Sequence, residues 1–303
     1  MLRGQRALVI GVSNARSIAW GVADRWRREG AEVFITYQNE RFRGSVEKLL
    51  HEKWEPFVEP FLGTKHGIGR IPAAPCDVSS EVEIEGLFRT LEHRGFCSSS
   101  SSQLQPTREG DGNEVEDRHR GEMDGEPKID VILHSVAHAP TEAMQGVSFL
   151  QGTTKDAFIS AHVVSAYSLV STVRHALPFL APGASVVALT YIGSQRAANN
   201  YNVMGPAKAS LESCARALAK ELGSPENGGV RVNCLSPGPV RTMAARGITA
   251  FDQMRREAAQ RAPLGRDAGI DEIAGAATFL ASPLAACVTG QTIYADCGFS
   301  SVI

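Results

Sequence analysis

Along the chain, short runs of consecutive apolar residues alternate with longer stretches in which apolar positions recur every three or four residues. The first run, RALVI (Arg6–Ile10), stops at Gly11 and leads through VSNARS into helical periodicity over residues 18–29. AEVFITY then makes a second strand ending at Tyr37. Unbroken apolar runs, rather than alternating ones, predict strands buried on both faces of a parallel sheet. The third strand is poorly marked and falls within GRIPAAPCDV, just ahead of Asp77 and Val78. IDVILHSVA, starting at Ile129, is the fourth, and ASVVALT, VRVNCLS and QTIYAD (residues 184–190, 230–236 and 291–296) complete the set. Helical patterns cover residues 155–180, 202–222 and 271–281. Strands separated by helices, with no internal repeat, predict one α/β domain over residues 1–303: a doubly wound parallel sheet of about seven strands flanked by helices, its site at the carboxyl ends of the strands.

Between residues 92 and 128 this patterning breaks. Five consecutive serines, Ser98 to Ser102, precede a mixed-charge run with few apolar residues. Such a composition buries too little apolar surface to offset the entropy of ordering, so a disordered insertion is expected there. The rest of the 303 residues, 43% hydrophobic overall, supports a large core. The net charge of −2 is spread without a basic face, which favours neither nucleic acid nor an acidic membrane surface and leaves a small molecule as the expected partner. No apolar run reaches the roughly 18 residues that span a bilayer, and no targeting segment is visible, so a cytoplasmic location is expected, or a plastid or mitochondrion in a eukaryote. Cys76, Cys97, Cys214, Cys234, Cys287 and Cys297 have neither zinc-ribbon spacing nor secreted-scaffold density, and are expected to be free thiols in a reducing compartment.

Strand, glycine turn, helix and strand within the first 37 residues form the opening unit of a dinucleotide-binding, Rossmann-type fold, in which helix N-terminal N–H groups hold a pyrophosphate. There is no GxGxxG. Gly11 is followed by Ser17 and Gly21, so a serine hydroxyl is expected to take over part of the phosphate contact; on this stretch alone, an ordinary strand-to-helix turn is the alternative. Gln38 follows the second strand, where such folds place the residue that meets the adenine ribose, and a neutral amide can bond ribose hydroxyls. Arg41 and Arg43 either attract a 2′-phosphate or line a solvated helix face, which leaves NADH against NADPH open at this point. Asp77 and Val78 either frame the adenine or cap a helix, and the end of the fourth strand, Ser135 to Ala137, is expected beside the nicotinamide ribose. His134 and His138 stand four apart, but on a strand end rather than a helix, and HEKWE at His51 lacks the second histidine of a zinc motif, so no metal is expected.

The stretch YIGSQRAANNYNVMGPAK, from Tyr191 to Lys208, carries the candidate chemistry. Tyr201 and Lys208 are seven residues apart, nearly two turns if a helix starts at about Asn202, so both can face one cleft. A phenol can donate a hydrogen bond to an oxygen that gains negative charge, and an ammonium can stabilise that charge while gripping ligand hydroxyls, a pairing suited to reduction. A tyrosine and a lysine alone are ordinary surface or core residues; the cofactor unit upstream gives the pair its meaning.

In these segments the chain resembles the short-chain dehydrogenase/reductases, and within them the NADH-type enoyl-acyl-carrier-protein reductases. Most members carry Tyr-x-x-x-Lys. Here the residue four before Lys208 is Met204, and the tyrosine is displaced to give Y-x6-K, the spacing characteristic of enoyl reductases. GVSNARSIAWG, TYQNE, CDV, HSVAHAP, TYIGSQRA, NYNVMGPAKASLE, RVNCLSPGPVRT and ADCGFS resemble that family's segments in the same order, over nearly the whole chain except residues 52–72 and 92–128. The resemblance implies catalytic roles for Tyr201, Lys208 and Tyr191, and dinucleotide contacts at Gly11, Ser17, Ile18, Gln38, Asp77, Val78, Val136, Lys208, Pro239 and Thr242. It places the acyl chain against Ala139, Tyr191, Tyr201, Met204, Ala244 and Phe251. The implied activity is NADH-dependent reduction, with NADPH less favoured, of trans-2-enoyl thioesters carried on acyl carrier protein, the last step of the type II fatty-acid elongation cycle, by a homotetramer. A carbonyl reductase or alcohol dehydrogenase of the same fold, and a catalytically silent nucleotide-binding regulator, are the alternatives. Three residues depart from the family pattern: Ala137 and His138 replace the usual glycine and aromatic beside the nicotinamide, and Cys297 stands where a glycine is usual. The loop after Thr242, MAARGITAFDQM, is expected to close over the bound ligands.

Overall fold

The computed structural model describes residues 1–54, 72–100, 126–144, 148–242, 245 and 249–302. In chain order it runs β1 (Arg6–Ile10), α1 (Ile18–Arg28), β2 (Glu32–Tyr37), α2 (Glu40–Trp54), β3 (Ala73–Pro75), α3 (Glu81–His93), β4 (Ile129–His134), α4 (Phe149–Gly152), α5 (Lys155–His162), α6 (Ser168–Ala176), β5 (Leu180–Leu189), α7 (Met204–Leu222), β6 (Arg231–Pro237), α8 (Phe251–Arg261), α9 (Ile270–Ala281) and β7 (Thr292–Ala295). The strands form one seven-stranded sheet in the order β3-β2-β1-β4-β5-β6-β7, every neighbour parallel. The chain starts in the middle, winds out to β3, then returns to lay β4 on the other side of β1. That reversal opens a crevice above the level ends of β1 and β4, where Ile10 pairs with His134, and ligands of such sheets bind at this point.

Alternate residues of each strand feed two separate cores. Leu8, Ile10, Ile132, Val186 and Ala188 face one, filled by Ile84 and Leu87 of α3, Leu169 and Val173 of α6, and Leu211 and Leu218 of α7. Ala7, Val9, Val131, Leu133 and Val187 face the other, filled by Trp20 and Trp26 of α1, Leu50 of α2, and Ile273 and Ala277 of α9. Burial on both faces is why these strands read as continuous apolar runs. Among the described residues no helix is long and apolar enough to cross a membrane.

Three expectations are adjusted. Residues 155–180 are not one helix: α5 passes into a π-helical turn, Val163–Tyr167, before α6 resumes, and β5 already starts at Leu180. The FDQM end of the loop after Thr242 is the first turn of α8. The patternless region is also narrower than residues 92–128, because α3 runs to His93 and both Phe96 and Cys97 are fully buried. Residues 101–125 of the expected insertion lie outside the described residues.

The two edges of that region meet. Ser98 N–H donates to Pro127 O at 2.7 Å, and Lys128 Nζ to Ser98 O at 2.6 Å. A short Gly-Ser linker in place of residues 101–125 therefore bridges ends that are already adjacent, at a small loop-closure cost. The expected melting temperature is within about 2 °C of the full chain. Extending the deletion through Phe96, which packs 5.5 Å from Phe34 ring to ring, is expected to destabilise by about 3–5 kcal/mol. Thermal melts of the two deletions check this, and a large drop in the shorter one would count against the insertion being dispensable.

Candidate active site

The crevice between β1 and β4 is lined as a dinucleotide requires. Gly11 has φ +99°, and a Cβ there would stand 2.4 Å from Ser135 O, so only glycine lets the chain leave β1 this close to the end of β4. Its N–H donates to Thr36 Oγ1 at 3.3 Å. Ser17 caps α1: its hydroxyl accepts from Trp20 N at 3.1 Å and donates to Asn14 O at 2.8 Å, holding the turn so that the remaining first-turn N–H groups of α1 are free for an anion. Ile18 begins that helix, half-buried against the core.

Gln38, exposed just beyond β2, donates from Nε2 to Asp77 Oδ2 at 3.4 Å, linking the ends of β2 and β3. Asp77 also accepts from the N–H and hydroxyl of Ser79, so it serves both as a turn-forming carboxylate and as part of the crevice rim. Partial burial pushes its carboxyl up, but the bonds from Ser79 and Gln38 outweigh this and hold it below the ordinary aspartate range. Val78 is buried beside it. Arg43 pairs with Glu47 at 2.7 Å and Glu40 at 3.4 Å, so its charge is already matched on the helix surface. Across the crevice, Val136 is half-buried past β4, Pro239 is buried past β6, and Thr242 accepts from Ala245 N through Oγ1 at 3.1 Å. The glycine cradle, the capped helix start and the uncharged Gln38 fit a dinucleotide without a 2′-phosphate.

Lys208 lies on α7 and is buried. Its ammonium donates to Leu189 O at 2.7 Å and Val136 O at 3.4 Å, which fixes it between the ends of β4 and β5. Burial pulls it down to about 8. Tyr201 is not on the helix with it, since α7 begins at Met204. Instead Tyr201 is held between Asn200 (φ 60°) and Asn202 (φ 39°), left-handed positions that asparagine tolerates better than most residues. The side-chain amide of Asn200 donates to Thr249 O at 2.9 Å and that of Asn202 to Ala143 O at 3.0 Å. The Tyr201 ring, 8% exposed, packs against Tyr191 with centroids 4.8 Å apart and planes tilted by 60°. Burial pushes the Tyr201 phenol well above its ordinary value and Tyr191 to about 12, so both are neutral donors near neutral pH.

Tyr201 and Met204 belong to a small apolar cluster with Ala143, Ala157, Val203 and Ala207, edged by Ala139 and Tyr191. The Tyr191 hydroxyl lies 3.9 Å from Met254 Sδ on α8, the helix that Phe251, half-buried, begins. Ala244 lies outside the described residues. The structure therefore brings Tyr191, Tyr201, Met204 and Ala139 into one patch, with the residues expected to meet a dinucleotide arranged along the strand ends.

His134 is fully buried, and its Nε2 meets Ser168 Oγ at 2.8 Å. Because Ser168 donates to Val164 O, it must accept from His134, leaving Nδ1 bare; burial and then Lys208 pull this histidine down to about 3. Ser165, carried by the π-helical turn, bonds both backbone groups of His138 through one hydroxyl. Ala137 and His138 are exposed at the crevice. Cys297 has φ 58°, a left-handed turn position that accounts for the glycine usual there. Among the described residues no three His, Cys, Asp or Glu side chains gather as metal ligands. Sequence reasoning missed Ser165, Gly193 and Glu212; for the last, the only signal was a glutamate one helical turn after Lys208.

Comparison with known proteins gives the family of the whole chain. A family model described as enoyl-(acyl carrier protein) reductase matches residues 11–95 and 111–300. The NADH-type enoyl-acyl-carrier-protein reductase FabI of Bacillus subtilis is 36% identical over 298 residues, 98% of this chain and 96% of that protein. The enzyme of the same name from Salmonella typhimurium is 35% identical, covering 99% and 95%. The crystal structure of the Bacillus cereus enoyl-acyl carrier protein reductase, solved with NADP+ and an indole naphthyridinone, superimposes with a TM-score of 0.79 at 33% identity, covering 100% of this chain and 98% of that one.

Proposed function

The chain belongs to the enoyl-acyl-carrier-protein reductase family, and from that premise we propose that Tyr201, Tyr191 and Lys208 carry its NADH-dependent reduction of trans-2-enoyl thioesters borne on acyl carrier protein. The observation that supports this assignment of roles is the buried pair of neutral phenols, Tyr191 against Tyr201, together with a buried ammonium set between the ends of β4 and β5.

The bound dinucleotide supplies the hydride that the β-carbon of the enoyl group accepts. Charge then develops on the thioester oxygen as an enolate, Tyr201, kept protonated by burial, donates a hydrogen bond to it, and a proton taken from water at the α-carbon completes the saturated thioester. Tyr191 walls the same patch and orients the thioester. Lys208 exchanges its carbonyl partners for the hydroxyls of the nicotinamide ribose and adds positive potential near the forming oxyanion. Gly11, Ser17 and Ile18 seat the pyrophosphate at the start of α1, Gln38 bonds the adenine ribose, and Asp77 and Val78 flank the adenine. Val136, Pro239 and Thr242 border the nicotinamide end. Ala139, Met204, Ala244 and Phe251 line the acyl path. A spectrophotometric assay following NADH loss with crotonyl thioesters tests the reading, and binding of NADH without turnover would favour a silent regulator. The homotetramer is part of the same reading, supported by Phe158, Ile159 and Tyr167, which stay exposed along the α5–α6 run. A cytoplasmic location is supported by six thiols that are all free.

This role for Lys208 has a pH consequence. The groups around its ammonium are Glu212 on its own helix, Cys234 on β6 and His134 on β4, and burial dominates them. A lysine lowered to about 8 from an ordinary 10.5 is charged below that pH and neutral above it. NADH affinity should therefore fall as pH rises through about 8. Linkage gives the opposite sign for the ligand-free fold: the unfolded chain binds more protons between about 8 and 10.5, so this residue's share of stability rises with pH there. Fluorescence titration of NADH across this range checks the first; an affinity that stays flat to pH 10.5 would contradict it.

A further inference from the structure

We infer that Glu212 is a positioning residue for Tyr201: its buried carboxylate fastens the 190–195 turn against which the Tyr201 ring is seated. Glu212 lies on α7 and is 1% exposed. Its Oε1 accepts from Thr190 Oγ1 at 2.6 Å and from Ser194 Oγ at 2.5 Å, and its Oε2 accepts from Gln195 Nε2 at 2.6 Å. A carboxylate out of water is tolerated only when it is well bonded, and here all three donors come from one short stretch of chain.

That stretch carries Tyr191 and, in the 3-10 turn Ile192–Ser194, Gly193. A Cβ on Gly193 would stand 2.5 Å from Tyr201 Cδ1 and 3.2 Å from Tyr191 Cδ1, so its backbone lies flush against both rings. A Cβ on Gly205, in the first turn of α7, would stand 3.1 Å from Gly193 O. The turn is thus gripped by α7 at two places, at Gly205 beside Tyr201 and at Glu212 two helical turns further on. Movement of the turn must move the Tyr201 ring, and Glu212 opposes that movement. Glu212 is not acting as the direct ion-pair partner of Lys208, whose ammonium donates to the carbonyls of Leu189 and Val136.

The inference rests on Tyr201 being the oxyanion donor, and a double-mutant cycle separates the two. In the full chain, Glu212→Ala is expected to lower kcat for crotonyl-thioester reduction by about 10-fold or more, with KM for NADH changed by less than about threefold. Glu212→Gln is expected to recover most of that loss: its Oε1 can still take both hydroxyls, and a flipped Gln195 amide can accept from its Nε2. In a Tyr201→Phe background, Glu212→Ala is expected to cost less than about threefold more, because its effect passes through the phenol. Where Glu212→Ala does not fold, Ser194→Ala, which removes one of the three bonds, is read in the same cycle and should show a smaller loss that also disappears without the phenol. An equal loss with and without Tyr201, an unchanged kcat in folded Glu212→Ala, or a Gln variant as poor as Ala would each overturn the positioning role. Wild-type turnover in Tyr201→Phe alone would instead remove the reading on which it rests.

Discussion

Tyr201→Phe is expected to lower kcat for enoyl-thioester reduction by about 100-fold while leaving NADH affinity within about twofold, whereas Lys208→Ala is expected to weaken NADH binding and turnover together. The difference follows from what each group can reach. The Tyr201 side chain belongs to an apolar cluster with Met204 and Ala143, and removing its hydroxyl deletes one donor to an oxygen that is charged only during the reaction. Its ring stays, so packing against Tyr191 and Gly193 is kept. The Lys208 ammonium lies between Val136 O and Leu189 O, at the strand ends where the proposed reading puts the nicotinamide ribose. Losing it removes a binding contact as well as a source of positive potential, and it leaves two carbonyls without their donor, at a stability cost of about 1–3 kcal/mol. Melting temperatures and NADH titrations on both variants separate these effects. Normal NADH affinity in a folded Lys208→Ala protein would refute the ribose role.

The parts legible in the sequence are those whose physics is local. β1, β2, β4 and the second half of β5 are buried on both faces and announce themselves as nearly continuous apolar runs, while β6 is buried throughout although Arg231, Asn233 and Ser236 interrupt its apolar residues. β3 is only Ala73–Pro75, too short for periodicity, and its place at the sheet edge is set by pairing with β2. α8 escaped notice because FDQMRREAAQR buries only Ala258 and offers no apolar stripe. It forms ion pairs, Arg241 with Asp252 at 2.9 Å and Arg255 with Asp267, and lays Arg261 over the Phe299 ring. At the site, the Tyr201–Lys208 spacing, read together with the cofactor unit upstream, singled out the pair and put the tyrosine at the start of a helix from about Asn202, whereas α7 begins at Met204 and left-handed asparagines on either side hold Tyr201 outside it. Glu212 and Ser165 were invisible because their partners lie far along the chain, at residues 190–195 and at His138. A glutamate or serine on a helix carries no mark of burial until the fold supplies its donors.

Crotonyl and longer trans-2-enoyl thioesters should be reduced at least about 100-fold faster than 3-oxoacyl thioesters under the same conditions, because the acid is in the wrong place for a carbonyl. Reduction of a ketone delivers the hydride to the carbon that bears the charged oxygen, so the proton donor must lie close to the hydride's own target. The common four-residue spacing puts a tyrosine one turn before the lysine for that purpose. Here Met204 holds that position; it is buried, with its sulfur 3.9 Å from Ser165 Oγ, and has no acidic proton to offer. Tyr201 comes three residues earlier, outside α7 and against Tyr191, where a flat conjugated thioester can lie with its oxygen farther along the chain from the carbon that is reduced. NADH should also outperform NADPH, since Gln38 brings no charge, Asp77 places a carboxylate beside it, and Arg43 is already paired with Glu40 and Glu47. Parallel assays with the two thioesters and the two cofactors check both preferences. Faster reduction of the 3-oxoacyl thioester would mean that Tyr201 reaches a carbonyl beside the hydride, and that the displaced spacing does not set which bond is reduced.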